Sequence, residues 1–184
     1  LSHVKNTLDV IGSSGLNDFI EGGFYRYTVD NEWKIPHFEK MLYDQAQMIS
    51  LFSMAYKVFE EQSYMDIVSN TITFLNNKMS SSDGLYYAAM DADTDGEEGK
   101  YYSYEIDELK MISKNTDFDL FLSYYNIDVE NPWEKNRFLL LPSKFNYEKK
   151  WIDSNNVSKK EISDLITIWE KNINDIKEDR TKPR

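Results

Sequence analysis

Apolar residues recur at helical spacing through most of this chain, and the stretches between those runs are rich in acids, aromatics and glycines. Over residues 38–61 one line runs Phe38, Leu42, Ile49, Phe52, Tyr56, Phe59, and a second runs Met41, Met48, Leu51, Ala55, Val58. Together they make a wide apolar arc with Lys40, Tyr43, Gln47, Ser50 and Lys57 opposite, the pattern of a helix covered on two sides. Residues 64–79 put Tyr64, Val68, Ile72, Leu75 and Met79 on one face, flanked by Ile67, Thr71 and Phe74. Asp66, Ser69, Asn70, Asn76 and Asn77 face away. This narrower stripe predicts an outer helix. The connection Glu60-Glu61-Gln62-Ser63 is short, so the two helices are expected to fold back as an antiparallel αα-hairpin.

Other segments carry shorter patterns. Residues 3–11 predict a helix ending near Gly12-Ser13-Ser14-Gly15, where a glycine would supply the left-handed closing turn. Residues 16–20 add a turn of helix, and residues 24–28 and 33–35 alternate as a small hairpin across 29–32. Residues 85–90 and 100–104 are expected to pair around an acidic loop. Residues 105–112 and 117–125 read as helices, and 138–141 as a short strand stopped by Pro142. Ile162, Leu165, Trp169, Ile173 and Ile176 mark a last amphipathic helix. The expectation is an all-α fold of αα-hairpins with small β-hairpin loop insertions, in a single domain over residues 1–184.

Composition narrows the function classes. A formal net charge of -11 would be repelled by a nucleic-acid backbone or an anionic membrane, so neither is expected as a partner. The chain has no cysteine, which excludes thiol catalysis, thiolate zinc sites and disulfides within it. No apolar run approaches the roughly 20 residues needed to cross a bilayer, and a soluble, cytoplasmic protein is the expectation.

Two polar stretches carry the candidate chemistry, GGFYRYTVDNEWKIPHFEKMLYDQAQ over residues 22–47 and DADTDGEEGKYY over 91–102. Proline is best tolerated in a helix's first turn, so Pro36 predicts a helix start with His37 and Glu39 at the positive end of its dipole. A neutral imidazole beside a carboxylate suits proton transfer or recognition of a hydroxylated ligand, with Tyr43 and Asp44 further along. The bland alternatives are that Glu39 complements the dipole and His37 bonds a loop carbonyl.

The second stretch packs Asp91, Asp93, Asp95, Glu97 and Glu98 into eight positions, a repulsive arrangement unless solvent, a cation, Lys100 or Arg26 offsets it. Its D-x-D-x-D-G opening resembles an EF-hand loop, but Tyr102 occupies the twelfth position where a bidentate Glu belongs. A loop knitted by Asx turns is the plain reading, and Asp91 and Asp93 as acid or base groups the functional one. Arg26 could clamp a carboxylate or phosphate, or pair with Asp30. Trp33, Tyr43 and Tyr87 are among the aromatics able to stack on a sugar face.

These two stretches, extended over residues 83–104 as DGLYYAAMDADTDGEEGKYYSY, resemble the signatures of the YyaL-like, spermatogenesis-associated protein 20 family. The resemblance is closest over residues 1–105, and residues 118–142, with YYNI and KNRFLLLP, follow it more loosely. It implies a partial (α/α)6 toroid of the six-hairpin glycosidase-like kind, related to N-acylglucosamine 2-epimerase, with ligand clefts at one end of the inner helices. It also implies an internal fragment, without the family's N-terminal thioredoxin-like domain and remaining barrel hairpins. Gln45 departs from the pattern, standing where the family usually has Asn.

Two function classes follow. One is a carbohydrate-active barrel acting on a small sugar as a hydrolase or epimerase, with His37, Asp91 and Asp93 as catalytic candidates. Arg26, Trp33, Glu39, Tyr43, Asp44 and Tyr87 would then bind substrate. The other is a non-catalytic glycan- or protein-binding module serving the thioredoxin-like domain. Neither calls for a cofactor, no metal ligand is assigned, and self-association of the isolated chain is expected.

Overall fold

The computed structural model describes residues 1–142 and 148–183. About half the chain is helical, joined by four two-stranded antiparallel sheets among the described residues. The chain divides into two compact units, Leu1–Glu98 and Gly99–Lys182, within the length that the sequence reading takes as one domain.

The first unit is built on an αα-hairpin. Helix α1 (Ser2–Ser13) precedes strands β1 (Tyr27–Thr28), β2 (Pro36–His37) and β3 (Lys40–Met41), which lead into α2 (Leu42–Phe59). Glu60 turns the chain in the left-handed region, and α3 (Gln62–Phe74) runs back, widening into a π-helical turn at Leu75–Met79. Strand β4 (Ala89–Met90) then pairs with β3, and β5 (Asp93–Thr94) closes on β6 (Glu97–Glu98). Phe24 stacks on Phe52, which packs against Tyr64, whose hydroxyl donates to Asp9 on α1 at 2.7 Å. Phe74, Leu75, Met79 and Met90 form a further buried cluster beneath Leu42 and Ile49.

Several expectations change here. The helix expected from residue 38 begins at Leu42, and Pro36-His37 is a strand whose partners are Thr28 and Tyr27. Pairing across the hairpin and with β4 holds residues 36–41 extended, a nonlocal constraint that outweighs the local preference of Pro36 for a helix's first turn. His37 and Glu39 therefore do not sit at a helix dipole. Residues 16–20 form a turn, with the Asp18 carboxylate accepting from the N–H groups of Ile20 and Glu21. Helix α1 closes without a left-handed residue, since Ser14 is extended. Gly15 is required for another reason: a Cβ there would lie 2.0 Å from the Lys34 carbonyl oxygen.

The expected inner and outer roles are also not reproduced by burial. On α2 only Gln45, Phe52 and Ala55 are buried, and Leu51, Met54 and Val58 are exposed. On α3, Tyr64, Ile67, Val68, Thr71 and Phe74 are buried, and the polar residues Asp66, Ser69, Asn70, Asn76 and Asn77 are outside as their spacing predicts. Lys40, assigned to a polar face, is fully buried.

In the second unit β7 (Tyr104–Glu105) pairs with β8 (Arg137–Phe138), beside α4 (Ile106–Ile112), α5 (Phe118–Tyr124), α6 (Glu148–Asn155) and α7 (Lys159–Glu178). Helix α7 starts at a capping box in which Ser158 and Glu161 satisfy each other's backbone N–H groups. Its apolar line reads as expected, with Ile162, Trp169 and Ile173 buried. The anticipated pairing of residues 85–90 with 100–104 does not occur, because Met90 pairs with Lys40 and Tyr104 with Phe138. Among the described residues no helix is long and apolar enough to cross a membrane.

Candidate functional site

The β1–β2 hairpin sets His37 directly opposite Tyr27, and the two rings stack with centroids 4.9 Å apart. Asp30 shapes the turn between the strands by accepting from the N–H groups of Glu32, Lys34 and Ile35, so it is not the partner of Arg26. That partner is Glu39. The Arg26 guanidinium donates to Glu39 Oε2 at 2.8 Å, and the Arg26 N–H donates to the Glu39 carbonyl.

The acidic stretch folds on itself. Asp95 and Gly96 both have positive φ, +56° and +78°, as the two central residues of a tight type I′ hairpin turn do. The D-x-D-x-D-G pattern thus serves a two-residue turn. Asp93 faces Glu98 across it, and Asp91 Oδ1 accepts from the Asp93 N–H, the Asx turn of the plain reading. Among the described residues no group of three or more His, Cys, Asp or Glu side chains is arranged to hold a metal ion.

The two stretches meet at His37 and Glu98. Glu98 Oε1 lies 2.6 Å from His37 Nδ1, while His37 Nε2 lies 3.8 Å from Glu39 Oε2. The imidazole is therefore flanked by a carboxylate on each side, one bonded to it and one beyond hydrogen-bond range and held by Arg26. Asp91 and Asp93 are exposed on the hairpin that delivers Glu98. Tyr43 interacts electrostatically with Arg26. Trp33 occupies the left-handed region in the β1–β2 turn, and Tyr87 is exposed, its backbone N–H donated to Met79. The structure thus brings together His37, Glu39 and Arg26, with Tyr43 and Asp44 beside them. Glu98 and Tyr27 join them, though sequence reasoning assigned neither to the site. The Asp-Gly dipeptide was the available signal for Glu98, since a two-residue turn at 95–96 puts 93 and 98 side by side.

Asp44, in the first turn of α2, has one carboxylate oxygen buried without a hydrogen-bond partner. Burial pushes its pKa up; Arg26 opposes that shift and Glu39 adds to it. A carboxyl whose pKa is raised on folding holds its proton longer in the native state. Its presence therefore weighs least on stability below the ordinary carboxylate range and more as pH rises through that range to the folded value. Asp44→Asn should accordingly gain stability relative to the parent chain as pH goes from about 3 to 7. Parallel urea titrations at the two pH values measure this, and a difference that stays constant or reverses would refute it.

The support beneath the site comes from two buried polar residues. Gln45 Oε1 accepts from the Phe24 N–H and its Nε2 donates to the Phe24 carbonyl, both at 2.7 Å, so the side chain pairs with the loop as a strand would. Lys40 donates to Asp18 Oδ2 at 2.6 Å and to the Gly22 carbonyl at 2.9 Å, with its ammonium over the rings of Phe74 and Tyr25. Gly22 itself has φ +86°, and a Cβ there would lie 2.5 Å from the Asn70 carbonyl oxygen on α3. The loop leading to Arg26 is fixed between α3 and β3.

Comparison with known proteins agrees with the sequence signatures. Spermatogenesis-associated protein 20 of Mus musculus and of Homo sapiens are each 34% identical to this chain over 113 residues, covering 58% of it. An uncharacterized protein of Caenorhabditis elegans is 35% identical over 139 residues, covering 68%. The chain spans 14% of the length of the two mammalian relatives and 19% of the nematode one. No family model matches it. Among solved structures, a crystal structure of D-mannose isomerase is similar at a TM-score of 0.40 and 16% identity, covering 67% of this chain and 29% of that one. A similarity that low carries no argument about fold or activity. The sequence matches do carry one, and by them the chain belongs with the spermatogenesis-associated protein 20 family.

Proposed function

We propose that the residues around His37 form a carbohydrate-binding site in which the imidazole acts as acid or base toward a sugar hydroxyl. The observation that carries this reading is the flanked imidazole: Glu98 on Nδ1 at 2.6 Å, and Glu39 at 3.8 Å from Nε2. A hydroxyl beside Nε2 could donate its one proton there, and Glu39 could accept from a neighbouring hydroxyl of the same sugar. Arg26 and Glu39 would fix the ligand's polar edge, with Tyr43 and Asp44 beside them, and Trp33 and Tyr87 would offer ring faces to the sugar. Asp91 and Asp93 would accept from further hydroxyls, or take the second acid–base role. In this reading the α2–α3 hairpin belongs to an (α/α)6 toroid, and the site lies at the end of α2 that β3 enters.

The test is a panel of small sugars offered to the chain, read by ligand-observed NMR for binding and by product analysis for turnover. Turnover that disappears in His37→Ala and falls in Asp91→Asn supports the acid–base reading. Binding without turnover that survives both substitutions supports the non-catalytic module instead, and absence of any binding refutes the sugar site.

A further inference from the structure

The position of Glu98 has a consequence for which nitrogen of His37 meets a ligand. A carboxylate accepts hydrogen bonds and does not donate them when ionised, so the 2.6 Å contact requires the proton to be on Nδ1. In a neutral ring the lone pair is then on Nε2. The other candidate acceptor does not compete for a proton there, because Glu39 Oε2 stands 3.8 Å from Nε2 and is bonded to Arg26 at 2.8 Å. Stacking on Tyr27 restricts the ring plane, leaving a flip about the ring axis as the main alternative, and Glu98 opposes that flip by bonding one nitrogen.

We infer that Glu98 is a positioning residue: from the β5–β6 hairpin it fixes His37 in the Nδ1–H tautomer and presents Nε2 as the proton-accepting atom. Histidines whose outer nitrogen is anchored to a carboxylate are oriented in this way in metal sites and hydrolytic triads alike. The hairpin gains a role from this. Its Asp95-Gly96 turn places residue 98 opposite residue 93, so the turn sets the carboxylate that orients the imidazole. The assignment of Nε2 as the atom facing a ligand rests on the proposed sugar site, whereas the tautomer itself does not.

The experiment exploits the scarcity of histidine, since the chain contains two. In a nitrogen-15-labelled chain carrying His3→Gln, long-range proton–nitrogen correlation reports the His37 tautomer directly, at a pH high enough for imidazoles to be neutral. The expected spectrum has a protonated, pyrrole-like Nδ1 and a lone-pair, pyridine-like Nε2. Glu98→Ala should shift both nitrogens toward the Nε2–H form, and Glu98→Gln, whose amide oxygen can still accept, should restore the parent pattern. A parent chain in which Nε2–H dominates overturns the inference without any variant, so a poorly folding Glu98→Ala would not protect it. An unchanged tautomer in a folded Glu98→Ala overturns it equally. Failure to bind sugar would refute the site reading and leave the tautomer measurement as it stands.

Discussion

Trp169→Ala is expected to destabilise the Gly99–Lys182 unit by about 3–5 kcal/mol, the range for emptying a buried aromatic site. Trp169 on α7 is fully buried and its ring meets those of Phe121 at 5.3 Å, Tyr124 at 5.6 Å and Tyr125 at 5.9 Å. Tyr124 also packs edge-on against Trp151 of α6, so one indole links α5 and α7 through an aromatic cluster that α6 closes. Its Nε1 donates to Thr116 Oγ1 at 2.9 Å, the turn between α4 and α5. Alanine would leave a cavity among large planar rings, which cannot collapse into it as flexible aliphatic side chains would. Burial in this cluster also drives the Tyr125 hydroxyl well above its ordinary pKa, since its ionised form would be desolvated among apolar rings. Trp169→Phe keeps most of the volume and loses the hydrogen bond, so a cost on the order of 1–2 kcal/mol is expected. Urea unfolding of the three chains checks the order, and amide exchange locates it. A Trp169→Ala chain within about 1 kcal/mol of the parent would show that the cluster does not hold this unit together.

The helices that bury one clean stripe were legible from spacing alone. Tyr64 and Val68 on α3, with Leu75 and Met79 in the π-helical turn that follows, and Ile162, Trp169 and Ile173 on α7, repeat at intervals that only a helix turns into a face, although Ile72, expected on the first of these faces, is exposed. The segment from Pro36 to Met41 was not legible in the same way. Its local signals point to a helix start, but its conformation is decided by Tyr27, Thr28, Ala89 and Met90, partners up to fifty positions away. Two-residue strands have no periodicity to detect. Lys40 shows the same limit in another form, since a charge at helical spacing reads as surface, and the arrival of Asp18, Gly22 and two rings from elsewhere in the chain makes its burial tolerable. The site followed the same division. His37, Glu39 and Arg26 stand in one stretch of sequence and were singled out together, whereas Glu98 enters across 61 positions and was seen only as one acid among five.

Lys40→Met is expected to cost the Leu1–Glu98 unit about 3–5 kcal/mol, because it leaves the Asp18 carboxylate buried without its cation. Both members of the pair are withdrawn from solvent, with Lys40 fully buried and Asp18 6% exposed. Neither can recover hydration without the loop at residues 18–25 moving away from β3. Removing both charges is a different experiment from removing one. In Asp18→Asn, Lys40→Met the uncompensated carboxylate is gone, the Asn oxygen can still accept from Ile20 and Glu21, and methionine fills the space over Phe74 and Tyr25. The double variant should therefore be more stable than Lys40→Met alone, a coupling that a double-mutant cycle in urea measures. The effect should reach the site by a short path. Lys40 follows Glu39 in the chain, and the loop it holds ends at Arg26, so loosening it frees the Arg26–Glu39 pair that keeps Glu39 off His37 Nε2. A single variant that unfolds at the parent's urea midpoint, or a double variant no better than the single, would show that the buried pair is not what anchors this loop.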